Sequence, residues 1–143
     1  MAGTAAYGFK GIKNMYKVKR VYLMCPSNLK SLVGCALSTA RSYKSPLGNL
    51  TICIDAIREL MGNEEDFTFV LADLDMEEEE YTAEIHIPFL IHCLGPHIEI
   101  VPIYIGQMND DDMNSLSNVL TDHFEREDSL FLCTSNMCSW GKE

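Results

Sequence analysis

The stretch that decides the fold reads EEEEYTAEIHIP over residues 77–88, where four consecutive glutamates lead into an apolar segment at 85–94. Asp75 and Glu78 have the spacing of a capping box, in which two side chains satisfy the free backbone donors at a helix start. The acidic run would lie at the positive end of the helix dipole, and the Gly-Pro pair at 95–96 would end the helix.

A strand is the alternative for this segment, because apolar residues occur at every second position from 85 to 91 and Pro88 lies among them. The acidic start and the Gly-Pro end both favour a helix. We therefore predict a helix that is kinked at Pro88.

The composition is that of a globular protein, since the chain has 143 residues and 47% of them are hydrophobic. This length predicts a single domain, 1–143, that can bury a core. The longest apolar run, at 98–105, is far shorter than the ~18 residues of a membrane helix, and residues 1–20 lack the apolar core of a secretory signal. The six cysteines form no CxxC pair, so we expect reduced thiols and a cytoplasmic protein, with the nucleus as an alternative.

The net charge of −10 is divided unevenly along the chain. Residues 1–58 carry nine Lys or Arg and one acid, whereas residues 59–143 carry two Lys or Arg and twenty acids. The basic half predicts either a surface for an anionic partner or a solvated surface that the acidic half attracts. Few aromatics accompany the basic residues and no nucleic-acid motif is present, so nucleic acid is not the expected partner. The candidate partner-binding residues are Lys10, Lys13, Lys17, Lys19, Arg20 and Lys30.

Helical and strand-like segments alternate along the chain, which predicts an α/β fold with a mainly parallel sheet flanked by helices. Ligands of open α/β sheets bind beyond the C-terminal ends of strands, so Ser27 and Asn28, after the first strand, are candidate site residues. Pro102 predicts that part of the strand at 98–105 lies at a sheet edge or strand end. The predicted strands are 20–24, 33–38, 67–71, 98–105 and 129–134, and the predicted helices are 2–14, 55–61, 77–94 and 109–124.

The sequence contains little evidence of a catalytic or metal-binding motif. His86, His92, Cys93 and His97 are close in sequence, but residues six apart do not share a helix face and no second cysteine pair completes a zinc site. The chain has no nucleophile elbow, phosphate loop or dinucleotide fingerprint. From the residues alone, the prediction is an acidic α/β domain with candidate site loops at Asn28 and Asn136.

Six segments in order resemble the Memo family, which is named for a mediator of ErbB-driven cell motility and whose fold is similar to the class III extradiol dioxygenases. They cover nearly all of this chain, but only about the middle half of a full family member. The resemblance implies a partial version of that fold, without the family's N-terminal and C-terminal segments. The segments are AAYGFKGI, RVYLMCPSN, GCALSTARSYKSPLGNLTICID, EEEEYTAEIHIPFL, IVPIYIG and LFLCTSNMCSWG.

The resemblance implies that the family's metal site consists of two histidines and a cysteine. One histidine and the cysteine belong to segments outside this chain, and the second histidine is Asn28 here, because the family's GPSH reads CPSN. Such replacements are poor metal ligands and poor bases near neutral pH, so we expect no metal and no catalytic residue. The former cleft then comprises Ser27, Asn28, Tyr81, Glu84, His86, Asn136, Cys138, Ser139 and Trp140.

The resemblance therefore predicts a non-catalytic protein that binds other proteins in signalling or cell motility, with phosphotyrosine-containing receptor tails as the implied partner class. One alternative is an iron- or copper-dependent redox enzyme of the dioxygenase type. Another is a truncated product without function. A partial sheet would also expose a strand edge, through which the chain could form a homodimer.

Overall fold

The computed structural model describes residues 2–12, 15–28, 32–63 and 66–135, which form a seven-stranded, mainly parallel sheet flanked by helices. This architecture confirms the predicted α/β fold class. The strands are β1 (Arg20–Pro26), β2 (Cys35–Leu37), β3 (Ser42–Ser45), β4 (Gly48–Ile52), β5 (Phe69–Leu71), β6 (Glu99–Ile105) and β7 (Ser129–Cys133). The helices are α1 (Ala2–Lys10), α2 (Ile54–Met61), α3 (Leu74–Glu79), α4 (Tyr81–Glu84), α5 (Ile87–Leu94) and α6 (Asp110–Phe124), with a short 3-10 helix at Met15–Lys17.

The sheet is built around β1 and β6. Five strands lie in the order β3-β4-β6-β1-β7, and the pairs β4–β6, β6–β1 and β1–β7 are parallel. On the side of β6 away from β1, β2 pairs antiparallel with the last residues of β6 and parallel with β5. The antiparallel hairpin β3–β4 was not predicted, because its short strands alternate too weakly to stand out from the turn between them.

Both faces of the two central strands are covered, and this explains their near-continuous apolar sequences. Val21, Tyr22 and Leu23 of β1 are fully buried, as are Ile100 and Ile103 of β6. A parallel strand that is buried on both faces cannot show the polar–apolar alternation of a surface strand. The core of the molecule therefore lies along this strand pair.

Pro102 occupies a special position in β6. The prediction that part of this strand lies at a sheet edge holds only locally, because β6 has β1 along its full length. On the opposite side, however, pairing with β4 stops at Ile100 and pairing with β2 starts at Ile103. Pro102 thus has a strand neighbour only on the β1 side, which is a position that tolerates a residue without a backbone N–H.

The acidic segment is helical, as predicted, but it forms three short helices, α3, α4 and α5, instead of one kinked helix. The predicted cap at Asp75 is wrong, since the Asp73 side chain accepts the hydrogen bond from the Met76 backbone N–H at 2.7 Å. Pro88 lies in the first turn of α5, where its missing N–H costs nothing. Gly95, with a φ of +89°, ends α5.

The helix predicted at residues 109–124 is also present, as α6. Asn109 and Asp112 form a capping box at the start of α6. Leu116, Val119 and Leu120 of this helix are buried, whereas Met113 and Phe124 are exposed, so the helix contacts the core mainly through its middle turns. Within the described parts of the chain, no helix is long and apolar enough to cross a membrane.

The C-terminal end of α6 carries a buried histidine that ties the helix to the sheet. His123 Nδ1 lies 2.7 Å from the hydroxyl oxygen of Tyr22 in β1. Glu59 of α2 lies 3.8 Å from the same nitrogen and also accepts a 2.8 Å hydrogen bond from Arg126. This cluster connects α2, α6 and β1, and it lies outside the set of predicted site residues.

Candidate functional site

Polar side chains converge where β1 ends and the acidic helices approach the sheet. Ser27 and Asn28 follow β1, as predicted, and the Ser27 backbone N–H donates to the Ile105 carbonyl at the end of β6. The C-terminal ends of these two parallel strands therefore lie side by side, at the position where open α/β sheets bind their ligands. We refer to the cluster of Ser27, Asn28 and Glu80 as the strand-end site.

Glu80 is the central group of the strand-end site, and its side chain is 1% exposed. One carboxylate oxygen accepts hydrogen bonds from the Ser27 hydroxyl at 2.8 Å and the Asn28 backbone N–H at 2.5 Å. The Asn28 side-chain amide lies 3.4 Å from the other oxygen. These donors are neutral, and they stabilise a buried negative charge by direct hydrogen bonding.

A second buried glutamate, Glu77, lies one helical turn earlier in the same run. Its carboxylate accepts hydrogen bonds from the Ser38 hydroxyl at 2.6 Å, the Thr39 backbone N–H at 2.8 Å and the Tyr43 hydroxyl at 2.5 Å. Glu77 thereby joins α3 to the segment after β2 and to β3. We refer to Glu77 and Glu80 together as the buried glutamate pair.

Two tyrosines extend the network of Glu77 into the sheet. The hydroxyls of Tyr43 and Tyr104 lie 2.5 Å apart, and both residues are buried. Because Tyr43 gives its single proton to Glu77, Tyr104 donates to Tyr43. Burial raises the pKa of both phenols, and the charge of Glu77 contributes, so both hydroxyls keep their protons at physiological pH.

The buried glutamate pair was not predicted from the sequence, because the whole acidic run was expected to lie at the positive end of the helix dipole. The spacing contained a signal: Glu77 and Glu80 are three residues apart and share a helix face, whereas Glu78 and Glu79 are exposed. Ser38, Tyr43 and Tyr104 were missed as well, since nothing local in the sequence marks them as partners of a carboxylate.

The predicted former-cleft residues that the structure describes differ in burial and contacts. Ser27 and Asn28 are together at Glu80, whereas Tyr81 and Glu84 of α4 are exposed. His86 lies at the start of α5, beside the ring of Phe9. The remaining four, Asn136, Cys138, Ser139 and Trp140, lie outside the described residues.

The described residues of the strand-end site provide one charged metal ligand, the Glu80 carboxylate. Among the described residues, no three His, Cys, Asp or Glu side chains are grouped so that they could hold a metal ion. Asn28, which takes the place of a family histidine by resemblance, donates its amide hydrogens to Glu80. Cys25 at the end of β1 is buried, and burial raises the pKa of its thiol to about 11, so it is a poor source of thiolate near neutral pH.

His86 is a buried imidazole at the start of α5. Both of its ring nitrogens are inaccessible to solvent and have no hydrogen-bond partner within the described residues. The Phe9 ring of α1 lies 6.0 Å from the imidazole and stacks on Phe89 at 5.1 Å. Burial lowers the pKa of His86, so the imidazole is favoured in its neutral form.

The predicted partner-binding lysines are spread over several elements. Lys10 lies at the end of α1, Lys17 forms a 3.4 Å ion pair with Glu127, and Lys19 is exposed before β1. Arg20, the first residue of β1, is partly buried. Lys13 and Lys30 are outside the described residues.

A groove of about 650 Å³ opens beside Lys10. It lies between α1, the 3-10 helix, the turn that joins β3 to β4, and α5. Its lining is mainly apolar, contains one lysine and one histidine, and includes no carboxylate among the described residues. The residues that line it include Lys10, Met15, Leu47, Phe89 and His92.

Comparison with known proteins agrees with the resemblance found in the sequence. The chain matches the family described as Memo-like protein over residues 1–143. It is 32% identical over 140 residues to the protein memo-1 homolog of Caenorhabditis elegans, which covers 97% of this chain and 39% of that protein. A MEMO1 family protein of Schizosaccharomyces pombe is 29% identical over 96% of this chain and 45% of its own length. The protein MEMO1 of Xenopus laevis is 27% identical over 96% of this chain and 46% of its own length. The chain thus spans less than half the length of these relatives.

Replacing Glu80 by alanine is expected to lower the free energy of unfolding by about 2–4 kcal/mol, because the Ser27 hydroxyl and the Asn28 N–H lose a charged, buried acceptor. The adjacent Glu79 is exposed, and Glu79→Ala is the matched control, with an expected change within about 0.5 kcal/mol. Urea unfolding of the three proteins measures the difference. Equal losses in the two variants would contradict the structural role of Glu80.

His86 is expected to make the protein less stable in acid. Since its pKa is lowered in the folded chain, the unfolded chain binds the proton more readily, and stability falls as the pH drops below about 6.5. His86→Leu removes this contribution. The urea midpoint of the variant should therefore change less than that of the wild type between about pH 7.5 and about pH 5.5. Identical changes in both proteins would show that His86 does not contribute.

Proposed function

This chain belongs to the Memo-like family, and we propose that it is a non-catalytic member that works by binding another protein. The observation that carries the proposal is the arrangement at the strand-end site. There, the buried carboxylate of Glu80 accepts hydrogen bonds from partly buried Ser27 and exposed Asn28, at the strand ends where an open α/β fold would receive a substrate.

The chemistry of this cluster supports binding over catalysis. A general base must be free to accept a proton from a substrate, whereas the same Glu80 oxygen accepts from both the Ser27 hydroxyl and the Asn28 backbone. The tyrosines that serve Glu77 remain protonated, and the Cys25 thiol is shielded. These described groups therefore support the fold and are not free to act on a substrate.

We further propose that the partner is a protein in signalling or cell motility that presents phosphotyrosine, the partner class that the resemblance implies. A phosphorylated side chain carries about two negative charges at neutral pH. Exposed Lys10 and Lys19 provide positive charge in the otherwise acidic chain, and Lys17 adds to it beside Glu127. The free cysteines Cys25 and Cys35 are buried as apolar side chains, which suits a reducing compartment, and we propose the cytoplasm or the nucleus.

A homodimer through a sheet edge is a proposal of the same kind. The outer edges of β5 and β7 have no strand partner among the described residues. Val70 and Leu71 on β5 and Phe124 beside β7 are exposed, so pairing there would bury apolar surface as well as join backbone groups. Pairing at one of these edges would let two copies of the chain associate.

The proposal is tested by binding a phosphotyrosine peptide and its unphosphorylated counterpart to the full chain. We expect the phosphorylated peptide to bind more tightly, and the preference to weaken with added salt. Changing Lys10, Lys17 and Lys19 together to glutamate should lower the affinity about tenfold or more. Lys44→Glu, at an exposed lysine outside this group, is the control and should change the affinity by less than about twofold.

Two outcomes would contradict the proposal. Equal binding of the two peptides would remove phosphotyrosine as the partner. Stoichiometric iron or copper in the purified protein, together with metal-dependent oxidation chemistry, would show that the chain is an enzyme and that the strand-end site is not its reactive centre.

A further inference from the structure

The groove beside Lys10 is the feature that the strand-end site does not account for. Its volume of about 650 Å³ lies within the ~300–1,000 Å³ range of sites that hold one bulky ligand group. It is formed by four separate elements, namely α1, the 3-10 helix at Met15–Lys17, the β3–β4 turn and α5. None of these elements contributes the side chains of Ser27, Asn28 or Glu80, so the groove and the strand-end site are different parts of the molecule.

The wall of the groove that belongs to α5 is held rigidly. The Phe89 ring stacks on Phe9 with an interplanar angle of 4° and a centroid separation of 5.1 Å. Phe9 is only 5% exposed, so it is anchored in the core. A side chain that enters the groove therefore meets an aromatic surface whose conformation is already fixed, which lowers the entropic cost of binding.

Two other residues of the groove lining are apolar and exposed. Leu47, in the turn between β3 and β4, is 57% exposed, and Met15 is 37% exposed. Apolar side chains that remain in water along a concave surface gain free energy when a further apolar group is placed against them. The groove is thus suited to an aliphatic or aromatic side chain.

Charge identifies the kind of chain that carries this side chain. The protein has a net charge of −10, yet the described lining of the groove contains Lys10 and His92 and no carboxylate. Within the described residues Lys10 has no ion-pair partner, in contrast to Lys17, which pairs with Glu127. The groove is therefore a local exception in an acidic molecule, and its charge complements an anionic partner.

We propose that this groove binds an acidic peptide segment of a partner protein, with one bulky apolar side chain of the segment between Phe89 and Leu47 and a carboxylate of the segment at Lys10. This inference rests on the proposed protein-binding function and gives that function a site. The occupant is a protein segment, because a single apolar cavity next to one lysine matches one side chain with an acidic neighbour, whereas a membrane surface is bound by clustered lysines.

The experiment uses the full chain and a set of fluorescent peptides in which a run of glutamates carries Phe, Trp, Leu or Ala at its centre. At least one of the three bulky peptides should bind about tenfold more tightly than the Ala peptide. Exchanging the glutamates of that peptide for lysines should abolish binding. If no bulky peptide exceeds the Ala peptide, the proposal is overturned.

Single changes in the protein locate the site. Lys10→Glu should weaken binding about three- to tenfold, and Leu47→Asp should weaken it by a similar factor through loss of apolar contact. The matched controls are Arg58→Glu and Leu74→Asp, which change an exposed basic residue and an exposed leucine that do not line the groove. Both controls should bind within about twofold of the wild type. All four positions are exposed, so the variants are expected to fold, and their urea midpoints verify this.

The outcomes separate the groove from the broader proposal. If Arg58→Glu weakens binding as much as Lys10→Glu does, the groove is not the site, whereas charge-driven binding to the basic residues survives. If anionic vesicles or a second copy of the chain occupy the groove, shown by vesicle binding or self-association that Lys10→Glu removes, the peptide proposal is overturned. If neither acidic nor phosphotyrosine peptides bind the wild type, both proposals fail.

Discussion

The structure depends on burying two negative charges of one acidic run against the ends of the central strands. Glu77 and Glu80 leave water only because hydroxyl and backbone donors from three separate segments of the chain are directed at them. A buried carboxylate without such donors would be strongly destabilising. The acidic helices, the segment after β2, the β3 strand and the end of β1 therefore have to be in place together, and each fixes the others.

This arrangement determines what the strand ends can do. In an open α/β sheet, the carboxyl ends of the strands are the usual place for chemistry. Here Ser27 and Asn28 point their hydrogens at Glu80, and the tyrosine pair serves Glu77. The proposed binding in the groove beside Lys10 does not involve these groups. The strand ends can therefore stabilise the fold while the groove binds a partner.

Patterns that act locally were predicted well from the sequence. The helical state of the acidic segment followed from its charged start and its Gly-Pro end, and the buried strand at Glu99–Ile105 followed from its apolar run. The position of Asn28 beside the end of β1 followed from strand order. The family followed from six ordered segments, because such an order is specific even when each motif is weak.

Features that depend on contacts between distant residues could not be predicted. The partners of Glu77 lie more than thirty positions away in sequence, and no local pattern separates a buried glutamate from a solvated one in the same run. The particular gap that accommodates Pro102 was not predicted, because it depends on where pairing with β4 stops and pairing with β2 starts. The groove at Lys10 combines four elements of the fold, whereas the sequence alone shows Lys10 as one lysine among others.

Hydrogen exchange of two backbone amides tests the central claim most directly. The N–H groups of Asn28 and Thr39 donate to the carboxylates of Glu80 and Glu77, not to carbonyls of a neighbouring strand. If the buried glutamates organise the strand ends, both amides should exchange at least about a hundredfold more slowly than in an unstructured peptide. Exchange at the unstructured rate, while the amides of β1 remain protected, would contradict this account.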